Sequence, residues 1–236
     1  MIGRRWVQAG GGAGIAAFIV ISASFSTSGN LPASNASATQ IANYLTSHLS
    51  SVLVGTALTV LAAGLILWFA GTLARLLHAR DQHSPLGLIV LGAGVGMAVI
   101  TSLDSLTLTA LEFLSKQGGL TDPAVTRTFY DLQNGIIMPG AFGCIAAVML
   151  GAIGASAVRR IFAAPWLGWV SFLFAALAVT GSLVGLTSTS GGTSAFGFMP
   201  AVGAGVILLI SSIFMVRDSA AGVVPAATPV AATATG

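Results

Sequence analysis

Six runs of about twenty apolar residues, nearly free of charge, constrain this chain more than any motif in it. They fall at about 6–25, 51–73, 85–105, 136–153, 165–185 and 198–216. At a rise of ~1.5 Å per residue, a helix of that length crosses the ~30 Å hydrocarbon core of a bilayer. Only 6% of the residues are charged, whereas soluble domains carry roughly 25%. Such a chain cannot cover a water-facing surface. The expectation is an all-α, polytopic transmembrane helix bundle with about six spans, forming one domain over residues 1–218. Residues 219–236 lack periodicity and charge and are expected to be a disordered tail. The lipid bilayer is then the chain's first partner, and a multi-pass position in a cell membrane its expected location. The Ala, Gly and Val bias suggests a bacterial source.

The charges that remain are placed asymmetrically. Arg4, Arg5, Arg75, Arg80, Arg159, Arg160 and Arg217 flank one side of the runs, and only Lys116 and Arg127 flank the other. This is a positive-inside pattern, and it predicts cytoplasmic termini. The pI near 9.8 is therefore a topology signal. Nine scattered basic residues do not make a phosphate-tracking patch, so no nucleic acid partner is expected. The start of the chain has two readings. Arg4 and Arg5 before an apolar run, with Ala36-Ser37-Ala38 further on, resemble a secretory signal. The length of the run and its distance from those small residues favour an uncleaved first helix.

Helical patterning overshoots the spans on the lightly charged side, so helices two to four are expected to extend beyond the outer membrane face. Ile41, Leu45, Leu49 and Val52 repeat at helical spacing, with no Gly or Pro before the second span. Ser34, Asn35 or Ser37 suits the N-cap of that helix. A single helix from Ala38 to Ala74 would be about 55 Å long, so its first part must lie outside the core or along its surface. The third helix continues past Asp104 to Gly118-Gly119, an expected hinge. Asp122-Pro123 then has the form of an N-cap followed by proline at the first helical position. Gly135, Pro139 and Gly140 are expected bends ahead of the fourth span.

The stretch from Thr101 to Gly135 concentrates the polar chemistry. It holds six of the fifteen charged residues, including four of the six acids. Asp104, Glu112, Arg127, Tyr130 and Asp131 form the candidate polar cluster. An acid at membrane depth is a proton or cation site by default, but the span count puts Asp104 at the outer boundary. Arg127 and Asp131 are spaced for an i, i+4 pair. If Arg127 also reached Asp104 or Glu112, the set would clamp the third and fourth spans together. His48 could join from the second helix, but HxxxH-type spacing is absent and no metal site is expected. Cys144, inside an apolar run, is expected to be a small buried side chain.

No catalytic residues and no cofactor are indicated. GGGAG at Gly10 to Gly14 lies inside a span, outside the strand-turn-helix context of a nucleotide site. No G-x-S-x-G elbow or HExxH is present. The spacings Gly10/Gly14, Gly92/Gly96 and Gly181/Gly185 allow close helix packing, within the bundle or in a homo-oligomer. Three classes of function remain. The favoured one is a non-enzymatic membrane protein acting through protein or lipid partners. The alternatives are a small-solute, proton or ion transporter using Asp104, and a membrane-embedded enzyme.

The segments NYLTSHLSSVLVGTALTVLAAGLILWFAGTLARLL, TDPAVTRTFYDLQNG and APWLGWVSFLFAALAV resemble the six-helix integral membrane proteins of unknown function common in actinobacteria. The resemblance covers most of residues 38–216. It implies the same bundle and carries no assigned activity or site residues.

Overall fold

The computed structural model describes residues 3–29, 31–33, 35–117, 122–187 and 195–220. Among the described residues the regular structure is all helical, with no strand. It comprises α1 (Arg4–Ser28), α2 (Ala38–Ser47), α3 (Leu49–Arg80), α4 (Leu86–Lys116), α5 (Pro123–Asp131), a π-helical segment (Leu132–Phe142), α6 (Gly143–Val158), α7 (Pro165–Thr187) and α8 (Ala195–Ala220). Six of these helices are long and apolar enough to cross a membrane: α1, α3, α4, α6, α7 and α8. The protein is a multi-pass membrane protein. The expected hinge at Gly118-Gly119 and the tail from residue 221 lie outside the described residues. α8 itself runs two residues into the expected tail, to Ala220.

The six spans close into a ring in chain order. α1 packs on α3, α3 on α4, α4 on α6, α6 on α7, α7 on α8, and α8 returns to α1. Small residues permit the closure. A Cβ on Gly10 would stand 2.4 Å from Thr72 Cβ, and one on Gly14 only 2.0 Å from Ser212 Oγ. The Gly10/Gly14 spacing is thus used inside the bundle, where α1 meets α3 and α8. α6 and α7 approach at Gly168, where an added Cβ would lie 2.7 Å from the Gly154 carbonyl oxygen. The short link between these two helices places Arg160 and Ala163 at φ of 58° and 60°, in the left-handed region.

The two ends of the ring differ. At one, the basic end, Arg80 reaches both the Ile161 carbonyl and Asp218, so the end of α3, the α6–α7 link and the end of α8 lie together. At the other, α2 and α5 form a cap over a second apolar cluster of Ile41, Leu45, Val52, Leu108, Leu111 and Tyr130. Burying each such side chain stabilises by about 1.5–3 kcal/mol in aqueous surroundings.

The sequence expectation of one unbroken helix from Ala38 is corrected here. The chain breaks at His48, with φ −117° and ψ 20°. Nothing at that position forces a break by propensity. The break lets α2 fold back onto α4 and α5, which buries Ile41 and Leu45. Ser37 is the N-cap of α2, and with Gln40 it forms a reciprocal capping box. Asp122 caps α5 by accepting from the Ala124 amide at 2.8 Å. The bends expected at Gly135, Pro139 and Gly140 are one continuous π-helical segment, a wide winding that is rare and usually a single turn. Cys144 is exposed on the outside of the ring, contrary to expectation. It lies in α6 on the same outward stripe as Val148, which is also exposed.

Candidate functional site

The polar cluster predicted from sequence divides into two groups. The first lies in the cap. Arg127 holds Asp131 with two contacts of 2.8 Å, through Nε and through a terminal nitrogen. Its other terminal nitrogen donates to the Ala36 carbonyl at 2.6 Å. Tyr130 is fully buried and donates its hydroxyl to the Pro32 carbonyl. Burial raises the phenol's pKa above its ordinary value, and the neighbouring Tyr44 adds to the rise. Arg127 and Tyr130 therefore fasten α5 to the segment leading into α2. Among the described residues the ion pairs are Arg127–Asp131 and Arg80–Asp218. A pair of Arg127 with Asp104 or Glu112, the condition for a clamp between the third and fourth spans, is not among them. His48 stands apart as well, stacked on Tyr44 with ring centroids 4.5 Å apart.

The second group is on α4. Asp104 is 9% exposed and Glu112 is 0% exposed. The buried flank of α4 also carries Thr101 and Ser105. Asp104 Oδ1 and both carboxylate oxygens of Glu112 are buried with no protein hydrogen-bond partner. Gln133, from the first turn of the π-helical segment, lies within side-chain hydrogen-bonding reach of Asp104. The next residue, Asn134, is also buried and donates to the Tyr130 carbonyl at 3.2 Å. Span counting set Asp104 at a membrane boundary open to water. Packing instead encloses it with protein, because the π-helical segment and the cap close over the end of α4.

Asp104 lines a cavity of about 350 Å³ in the half of the ring nearer the cap. α1 contributes Phe18 and Phe25, α3 contributes Ile66, α4 contributes Met97, the π-helical segment contributes Phe142, and α8 contributes Leu208. The wall is mostly apolar. Its polar groups are Ser22, Ser24, Thr59, Thr101 and Asp104. Ser24 and Thr59 hydroxyls lie 2.7 Å apart, both within reach of the Gly55 carbonyl, and their two protons are shared among these contacts. Ser22 donates to its own helix at the Phe18 carbonyl. Asp104 is thus the ionisable group in the described wall, and one of its oxygens is unpartnered. The cavity extends to the seam between α1 and α8, where Phe25 and Val202 are about half exposed.

Sequence reasoning found Asp104 but missed Gln133 and the cavity. Gln133-Asn134 just ahead of an apolar run is the only local signal, and it is a weak one. Among the described residues, no group of three or more His, Cys, Asp or Glu side chains is placed to hold a metal ion. No family model matches the chain, and neither a curated protein nor a solved structure matches it.

Proposed function

We propose that this is a non-enzymatic, multi-pass protein of a cell membrane that binds and carries a small organic cation with an apolar body. One observation supports the reading: Asp104 is a buried acid with an unpartnered oxygen in the wall of an apolar cavity. An intramembrane acid is costly to maintain and is retained where it pairs with something. No basic residue is present in the described wall of the cavity. A cationic ligand supplies the missing partner, while Phe18, Phe25, Met97 and Phe142 supply contact for the apolar body. This favours the transporter class over action through protein partners, which ranked first on sequence alone.

Tetraphenylphosphonium and tetraphenylborate have the same shape and opposite charge. Equilibrium dialysis with the purified chain should show binding of the cation in preference to the anion. Asp104→Asn, with its fold checked by thermal melting, should lose that preference. Wild-type proteoliposomes should then take up the cation faster than Asp104→Asn ones. Equal binding of the two probes by wild-type protein would sink the proposal.

A further inference from the structure

We infer that the basic end of the ring carries a site for a two-chain anionic phospholipid, centred on Arg75 and independent of the Asp104 cavity. Two surface grooves meet at this residue. One, of about 860 Å³, runs between α3 and α4 and is lined by Arg75, His78 and His83 together with the apolar Leu88 and Leu91. The other, of about 440 Å³, runs along the opposite flank of α3, past Trp6, Gly64, Leu67, Trp68 and Thr72. Gly71 and Arg75 line both grooves.

The arrangement matches the parts of such a lipid. Arg75, His78 and His83 are all exposed and offer a guanidinium and two imidazoles to one phosphate, a geometry that suits arginine in particular. No acid lines either groove among the described residues. The nearby Asp81 is turned to the His83 backbone amide at 3.2 Å. Below the headgroup position, each groove offers a bed for one acyl chain. On the α3–α4 side the bed is Leu88, 76% exposed, and then Leu91. On the other side Gly64 and Gly71 leave the face of α3 flat, and a Cβ added at either would meet nothing within 4 Å. Trp6 and Trp68, with ring centroids 5.8 Å apart, wall that groove.

The dimensions agree. Eleven residues separate Gly64 from Arg75, about 16 Å of helix, or roughly half of a ~30 Å core. The groove past Trp6 and Trp68 is therefore one leaflet deep. Arg4, Arg5, Arg159, Arg160 and Arg217 line neither groove. Arg80 is engaged with Asp218 and Ile161. A basic recess between transmembrane helices is a recognised form of anionic-headgroup site.

The test is native mass spectrometry of the full chain, purified and given equal amounts of phosphatidylglycerol and phosphatidylcholine with identical chains. Phosphatidylglycerol should be retained about fivefold or more over phosphatidylcholine, the preference expected of one arginine at a lipid surface. Arg75→Gln should bring that ratio close to even. Gly64→Leu fills the second groove alone, and its Cβ has open space around it. It should lower retention of the two-chain lipid while lysophosphatidylglycerol, with one chain, binds as to wild type. Equal retention of the two lipids by wild type overturns the inference, as does an unchanged preference in Arg75→Gln. Displacement of phosphatidylglycerol by millimolar inorganic phosphate would mark the site as one for a soluble anion and also overturn it.

Discussion

Arg80 and Asp218, 138 positions apart in the chain, meet at 3.3 Å at the basic end of the ring, and the same guanidinium donates to the Ile161 carbonyl at 2.9 Å. One side chain thereby joins the end of α3, the α6–α7 link and the end of α8. The two contacts differ in worth. The ion pair is partly exposed, with side chains 16% and 29% accessible, so screening holds it below about 1 kcal/mol. A hydrogen bond from a charged donor to a carbonyl contributes about 1.5–3 kcal/mol.

Arg80→Ala should therefore destabilise the protein clearly more than Asp218→Asn, by about 1–2 kcal/mol. Raising salt should shrink the Asp218→Asn effect and leave most of the Arg80→Ala effect in place. Arg80→Lys should fall between them, because an ammonium cannot reproduce the two-pronged geometry. Thermal melting of the three variants at low and high salt checks the order.

Tyr130 gives the cap an alkaline limit. Its folded-state pKa is raised, first by burial and then by Tyr44, above the ordinary value of 10.0. Below pH 10 both the folded and unfolded chains hold the proton, and the contribution is complete. As pH rises past 10 the unfolded chain releases its proton while the folded chain keeps it, so stability falls. Tyr130→Phe should remove part of this slope. It should also cost about 1–3 kcal/mol at neutral pH, by leaving the Pro32 carbonyl without its donor. Melting curves between pH 7 and 11 test both statements, and an unchanged alkaline slope in the variant refutes the first.

Glycines of this bundle are not equivalent. A Cβ at Gly168 would lie 2.5 Å from Val158 Cγ2 and 2.7 Å from the Gly154 carbonyl oxygen. Backbone cannot yield as a side chain can, so Gly168→Ala should push α6 and α7 apart at a cost of about 1–3 kcal/mol. At Gly151 an added Cβ meets nothing within 4 Å. Gly151→Ala should be neutral, or stabilising by up to about 1 kcal/mol, since alanine is the better helix former. Equal melting temperatures for the two variants would contradict this account.

Glu112 is fully buried and neither carboxylate oxygen has a protein partner. Replacing it by an apolar residue of similar length removes two unsatisfied polar atoms. Glu112→Met should therefore raise stability by about 1–3 kcal/mol. A lower melting temperature in this variant would show that Glu112 has a structural role.

Much of this architecture is legible in the sequence because the bilayer imposes a length and a polarity that composition reports directly. The six runs and the helix starts at Ser37 and Asp122 depend on local chemistry, and local chemistry is visible in a sequence. The break at His48 is not visible, because no residue there disfavours helix. It is driven by distant packing of Ile41 and Leu45 under Tyr130. The site follows the same division. Asp104 stands out as an acid beside an apolar run, but the cavity it lines is built with Phe18, Phe142 and Leu208, which arrive from three other elements. Arg75 stands out only as one more positive charge. The pair of grooves beside it arises from how α3 lies against α1 and α4.

The π-helical segment joins these levels in a further way. It carries Gln133 near one end and Phe142 at the other, so both a neighbour of Asp104 and a wall of the cavity ride on one loosely wound coil. An α-helix advances about 100° per residue. Tightening this coil to that pitch would turn its two ends against each other and carry Phe142 away from the position that Gln133 now shares with it. The stretch is, in mechanical terms, slack in the thread. A substitution that altered its winding would therefore change a neighbour of Asp104 and a wall of the cavity together.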